Sequence, residues 1–214
     1  EIMPSLVGSE MCIRDSDKTH FTNFCENNEK MYLISSKRLA IYNQQNGQIQ
    51  YKEIPFNYSR LNCILSLGKD TIGIGTSNGI ILFFAQNNQF RNVEMHFNVM
   101  RIFEDSHNEL WLFSKEQRGI VRYDPLTNEQ QHYETPTQNM PKAELRSRDV
   151  IFEDNQGTLW VVPHLGCLSY YDREDKELKP YYTDYSKPES KFTPVILNFY
   201  VDNQKNFWYA NNFW

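Results

Sequence analysis

Gly75-Thr76-Ser77-Asn78-Gly79 matches the G-x-S-x-G frame, in which a serine nucleophile sits on a sharp strand-to-helix turn. The next residues, Ile80-Ile81-Leu82-Phe83-Phe84, read as a strand. The frame therefore predicts a hairpin turn and no nucleophile elbow. Glu104-Asp105 and Glu153-Asp154 pair carboxylates as glycoside chemistry requires. Adjacent strand residues point to opposite faces, however, and cannot both flank one bond. The Asp of each pair reads as a turn cap. His20, His96, His107, His132 and His164 have neither H-x-x-x-H nor H-E-x-x-H spacing. Cys12, Cys25, Cys63 and Cys167 contain no C-x-x-C pair that would chelate zinc and no framework that would staple a small fold. The expectation is no catalytic residue, no metal ligand and no cofactor.

The elements that carry these residues form a repeat. IFEDSHNELWLF (102–113), IFEDNQGTLWVV (151–162) and FYVDNQKNFWYA (199–210) share an apolar run, an Asp, a polar stretch and a Trp six positions after the Asp. Trp111, Trp160 and Trp208 are spaced by 49 and 48 residues, the size of a four-stranded propeller blade. Two weaker copies precede them, with Gly73 and Tyr32 in the Trp place. In each unit a first strand such as Val99 to Phe103, Val150 to Phe152 or Val195 to Val201 leads into a turn headed by Asp105, Asp154 or Asp202, with Gly157 or Asn206 free to take positive φ. The Trp-bearing second strand comes next, then a third (RLAIY, GIILFF, GIVRYD, GCLSYYD) and a fourth ending near Tyr51, Tyr133 or Tyr182. No stretch sustains a 3.6-residue period, so almost no helix is expected.

A four-stranded sheet cannot bury both faces alone, and radial stacking with Trp and Tyr filling the wedges solves this. The predicted fold is all-β: an incomplete β-propeller of about four antiparallel blades (20–53, 60–95, 98–134 and 148–183) plus the start of a fifth (195–214). The fifth unit stops after its second strand, so the ring is not expected to close within this sequence. Trp214 lies outside the register. Residues 1–16 lack any strand or helix period, and VGSEMCIRDS resembles translated adapter sequence, so they and Cys12 are set aside as a non-native or disordered leader.

The chain carries 22 Lys and Arg against 27 Asp and Glu, a net charge of −5, and its basic residues are scattered. That argues against a nucleic-acid partner. No apolar run is long enough for a membrane helix, and no secretory leader is evident. Because rigid scaffolds carry function on variable connections, ligand contacts are sought where the repeat is broken: Lys115 to Arg118, His164 and Thr135 to Arg148.

The pattern I-F-E-D-x-x-G-x-L-W-V, then G-x-L-x-x-Y-D, resembles the two-component regulator propeller repeat over residues 17–214. The match is strongest around Trp111, Trp160 and Trp208, and weakest around Tyr32, where Asn27 or Glu26 replaces the Asp. The resemblance implies a ligand-sensing propeller fragment of a hybrid two-component histidine kinase, in the periplasm as the sensor region of an inner-membrane protein that forms a homodimer. The implied ligand is a nutrient, an oligosaccharide or other small molecule. Kinase activity and phosphorelay would reside outside this chain. Two alternatives stand beside it: a free-standing propeller that binds glycan or protein, and a propeller lyase or glycosidase.

Overall fold

Among the described residues, β-branched and aromatic residues in runs of four to seven, separated by Asp, Asn and Gly turns, form eighteen strands. The structure is a computed structural model that describes residues 20–68, 70–114, 119–134, 150–162, 168–181, 196–202, 204 and 206–211. Among the described residues there is no helix. The first sheet is β1 (Asn23–Asn27), β2 (Lys30–Ile34), β3 (Arg38–Asn43) and β4 (Ile49–Glu53). The second is β5 (Leu61–Leu67), β6 (Thr71–Thr76), β7 (Gly79–Phe84) and β8 (Gln89–Glu94). The third is β9 (Arg101–Glu104), β10 (Leu110–Phe113), β11 (Ile120–Tyr123) and β12 (Gln130–Tyr133). The fourth is β13 (Val150–Glu153), β14 (Leu159–Val162), β15 (Ser169–Asp172) and β16 (Glu177–Pro180), and β17 (Ile196–Val201) pairs with β18 (Phe207–Asn211). Every pairing is antiparallel between strands consecutive in sequence. The fold is therefore a run of propeller blades, with no closed barrel.

The register shows why the units are equivalent. Trp111 lies opposite Phe103, Trp160 opposite Phe152 and Trp208 opposite Tyr200, and Gly73 and Tyr32 occupy the same place opposite Leu65 and Cys25. Gly73 is confined by packing: a Cβ there would lie 2.8 Å from Leu67 Cδ1. The start of β9 and the ends of β4 and β16 fall within two residues of the sequence reading. β9 begins at Arg101, with buried Val99 in the preceding connection, where its N–H donates to Thr76 O (2.9 Å). The fourth strands β4 and β16 end at Glu53 and Pro180, within two residues of Tyr51 and Tyr182, near which the sequence reading ended them.

The sheets stack with their first strands side by side and pointing the same way. At one end Asn23 Nδ2 donates to Asn62 O (3.2 Å), and at the other Asn27 Nδ2 donates to Ser66 Oγ (2.6 Å) and Gly68 O (3.1 Å). Gly68 N–H reaches Glu104 (3.1 Å) and Ser106 N–H reaches Glu153 (2.7 Å) in the same manner. One end of the stack thus collects the turns after the first and third strands of each sheet, and the opposite end collects the other connections. Apolar clusters fill the interfaces: Tyr32, Ile34, Ile72, Ile74 and Phe83 between the first and second sheets, and Trp111, Phe113, Ile151, Val161 and Tyr171 between the third and fourth. Burying such side chains contributes roughly 1.5–3 kcal/mol each.

Candidate functional site

The Asp of each carboxylate pair that stands out in the sequence caps a turn. Asp105 Oδ1 accepts the N–H groups of His107 (2.9 Å) and Glu109 (3.0 Å), while Oδ2 accepts the indole N–H of Trp111 (2.9 Å). Asp154 does the same for Gln156, Thr158 and Trp160, and Asp202 for Gln204, Asn206 and Trp208, each at 2.9 Å. The six-residue spacing is therefore a bond: one carboxylate pins a five-residue turn and orients the Trp that packs beyond it. The sequence showed the spacing but not the contact. Burial pushes Asp105 upward, but hydrogen bonds from Trp111, Arg173 and the backbone of Glu109 and His107 outweigh it and hold the carboxyl below its usual range. Asp202 is held at about 2, first by Trp208 and then by Asn206. The left-handed turn position falls on Asn108 (φ 61°) and Gly157 (φ 80°). Asn206, expected there, instead donates its side-chain amide to Asp202 Oδ2 (3.0 Å).

The G-x-S-x-G frame forms the two-residue hairpin between β6 and β7, with Thr76 opposite Gly79. Ser77 Oγ accepts the N–H of Ser59 (2.9 Å), and Thr76 Oγ1 donates to Gly79 O (3.1 Å). The serine has a strand on either side, so no strand-to-helix elbow exists. His20, His96, His107 and His132 are exposed, and no group of three or more His, Cys, Asp or Glu suited to a metal occurs among the described residues. Cys25 and Cys63 are free thiols that burial pushes up to about 12 and about 11, which keeps them protonated. Lys115 to Arg118, His164 and Thr135 to Arg148 lie outside the described residues, as do Cys12 and Cys167.

The clefts on the described surface include two between sheets. The larger, about 720 Å³, opens between the first and second sheets at the end holding the β2–β3 and β6–β7 turns and the 54–60 connection. Lys37, Glu53, Asn57 and Ser77 supply polar groups, and Phe56 and Tyr58 supply half-buried rings. Burial and the nearby Glu53 charge raise the Tyr58 phenol, so it remains a neutral donor. The backbone is held where Ser77 N–H meets Arg60 O (3.0 Å). Charge, amide, hydroxyl and aromatic faces around one opening suit a polar ligand with apolar faces. Sequence reasoning missed this site because it searched later connections, although Pro55-Phe56-Asn57-Tyr58 also breaks the repeat. The strand ends flanking 115–118, 135–149 and 163–167 face the same end of the stack. The smaller cleft, about 440 Å³, lies between the second and third sheets at the opposite end.

Four-stranded antiparallel sheets stacked by their first strands, with interblade clefts, define β-propeller architecture. No protein-family model matches the chain, and no curated protein shows significant sequence similarity to it. Among solved structures the chain is similar to the extracellular domain of a hybrid two-component system from B. thetaiotaomicron (19% identity, TM-score 0.62, covering 89% of this chain and 26% of that one). It is also similar to the computationally designed protein Ika4 (10% identity, TM-score 0.55, 72% and 91%). An auxiliary nutrient-binding protein of Bacteroides thetaiotaomicron shares the fold as well (14% identity, TM-score 0.51, 76% and 40%). The chain thus spans about a quarter of the two-component domain.

Proposed function

We propose that this chain is part of a ligand-sensing propeller in an extracytoplasmic sensor of a two-component system, and that the cleft between the first and second sheets receives a small polar ligand, an oligosaccharide in particular. The observation that carries the binding reading is the convergence of Lys37, Asn57 and Ser77 with the rings of Phe56 and Tyr58 around one opening. The sensor reading is supported by the propeller repeat and by the likeness of fold to a two-component extracellular domain. In that setting the region lies in the periplasm and the parent acts as a homodimeric histidine kinase. Binding must favour one of two arrangements of the dimer, because a ligand with equal affinity for both shifts nothing.

Calorimetry against a panel of oligosaccharides, with chromatography of the mixture afterwards, tests this. Saturable binding with the sugar recovered intact, weakened by Tyr58→Ala and Phe56→Ala, is expected. Shortened or unsaturated products would instead indicate a lyase or glycosidase. The likeness to a nutrient-binding protein favours one other reading, a free-standing binding propeller. Sequencing beyond Trp214 separates the two, since only a sensor kinase requires a membrane helix and a kinase core downstream.

A further inference from the structure

The smaller cleft is explained by comparing it with its counterpart one interface along. Between the third and fourth sheets the same place is filled by Arg173, which reaches Asp105 (2.9 Å), Glu109 (3.3 Å) and Glu153 (3.5 Å) and lies over the Tyr171 ring. The ladder register assigns the equivalents between the second and third sheets: Leu67 for Asp105, Thr71 for Glu109, Glu104 for Glu153 and Pro125 for Arg173. The turn geometry agrees, since Leu126 N–H donates to Asp124 (2.8 Å) as Glu174 N–H does to Asp172 (3.0 Å). All four replacements line the cleft of about 440 Å³. Relative to the ion cluster between the third and fourth sheets, this cleft lacks the guanidinium and two of the carboxylates and has the third.

Glu104 still accepts Gly68 N–H (3.1 Å), as Glu153 accepts Ser106 N–H, but among the described residues no cation stands where Arg173 stands. Across the cleft Arg91 lies over the Phe84 ring and donates to neutral acceptors, Pro125 O (3.2 Å) and Tyr123 Oη (3.4 Å). Among the described residues no ion pair joins Arg91 to Glu104. Between these charges the walls are Leu67, Leu82, Phe84 and Leu110, and Leu126, 93% exposed, stands at the rim. An apolar cleft of this volume lies in the range that holds small molecules.

We infer that this cleft binds a small zwitterion with an apolar body, of the size of an apolar amino acid or dipeptide. Its ammonium replaces the Arg173-type cation at Glu104, its carboxylate meets Arg91, and its side chains lie on the leucines and Phe84. The site is separate from the polar cleft at the other end and does not depend on the function proposed for that cleft.

The test is calorimetry of the full chain with leucyl-phenylalanine, its N-acetyl derivative and its C-terminal amide. Saturable binding of the free dipeptide is expected, with blocking of either end weakening it about tenfold, the loss of one charge-assisted hydrogen bond. Glu104→Gln should remove the penalty for acetylation, and Arg91→Gln the penalty for amidation. Pro125→Arg should abolish binding by putting a tethered guanidinium in the cleft. If that variant does not melt cooperatively, Leu126→Asp at the exposed rim should weaken binding without touching the core. Phe56→Ala and Tyr58→Ala should leave dipeptide binding unchanged. Absence of saturable binding at millimolar dipeptide, or equal binding of the free and blocked forms, would overturn the inference.

Discussion

Replacing Asp105 by Ala removes the acceptor of four hydrogen bonds, from His107 N–H, Glu109 N–H, the Trp111 indole and Arg173. The two backbone donors sit in a surface turn beside exposed His107, and water can replace the carboxylate there. Trp111 is 0% exposed, so its N–H is stranded, at a cost of roughly 1–3 kcal/mol. Arg173 loses its closest carboxylate but keeps Glu109 and Glu153, which places that loss near the lower end of roughly 1.5–3 kcal/mol. The sum is about 2.5–4.5 kcal/mol, close to the range for breaking a buried ion pair. For a chain of this size it lowers the thermal midpoint by about 10 °C. Asp105→Asn should be nearly as damaging, because its NH2 would face two donors. Asp202→Ala removes the same three-point pattern around Trp208, which is 62% exposed, and should have the smaller effect. Urea and thermal unfolding of the three variants measure this. If Asp105→Ala loses less than about 1 kcal/mol, or no more than Asp202→Ala, the Asp–Trp bond is not what holds the blade.

Acid should unfold the protein through these aspartates. The folded pKa values of Asp105 and Asp154 are lowered and that of Asp202 is about 2, so their contribution is complete above the unfolded carboxylate value of about 3.9 and is lost as pH falls through the folded values. Urea midpoints should be level from neutrality down to about pH 5 and fall between about pH 4 and 2; a midpoint that rises on acidification would refute this. Arg173→Met leaves Asp105, Glu109 and Glu153 converging without a cation and should cost about 2 kcal/mol in urea unfolding, a loss that 1 M NaCl reduces by screening the carboxylates. Gly75→Ala places a Cβ 2.5 Å from Cys63 Sγ and 2.9 Å from Val99 O, and because backbone cannot yield as a side-chain tip does, a loss of about 1–3 kcal/mol is expected on thermal unfolding. Ser77→Ala removes the acceptor of the exposed Ser59 N–H, which water can replace, and should cost less than about 1 kcal/mol while leaving any hydrolysis of nitrophenyl esters unchanged, the opposite of a catalytic serine.

The all-β architecture, the four-strand unit and the equivalence of Trp111, Trp160 and Trp208 were legible in the residues because each depends on local information. Strand runs alternate with turn residues, and a fixed Asp-to-Trp spacing recurs whenever one backbone geometry is reused. The hairpin at Ser77 and the turn cap at the Asp of each Glu-Asp pair were legible too, since both arguments need only the neighbouring residues. The clefts were not. Phe56 and Tyr58 gain meaning only when the 54–60 connection is laid against Lys37 and Ser77 from two other turns. Pro125 is an ordinary turn proline until the third sheet packs on the second and, among the described residues, no counterpart of Arg173 stands beside Glu104. Sequence patterns report how each chain segment satisfies its own backbone and buries its own face. What two sheets leave unfilled between them depends on side chains about 20 to 70 positions apart that approach only after the blades have stacked.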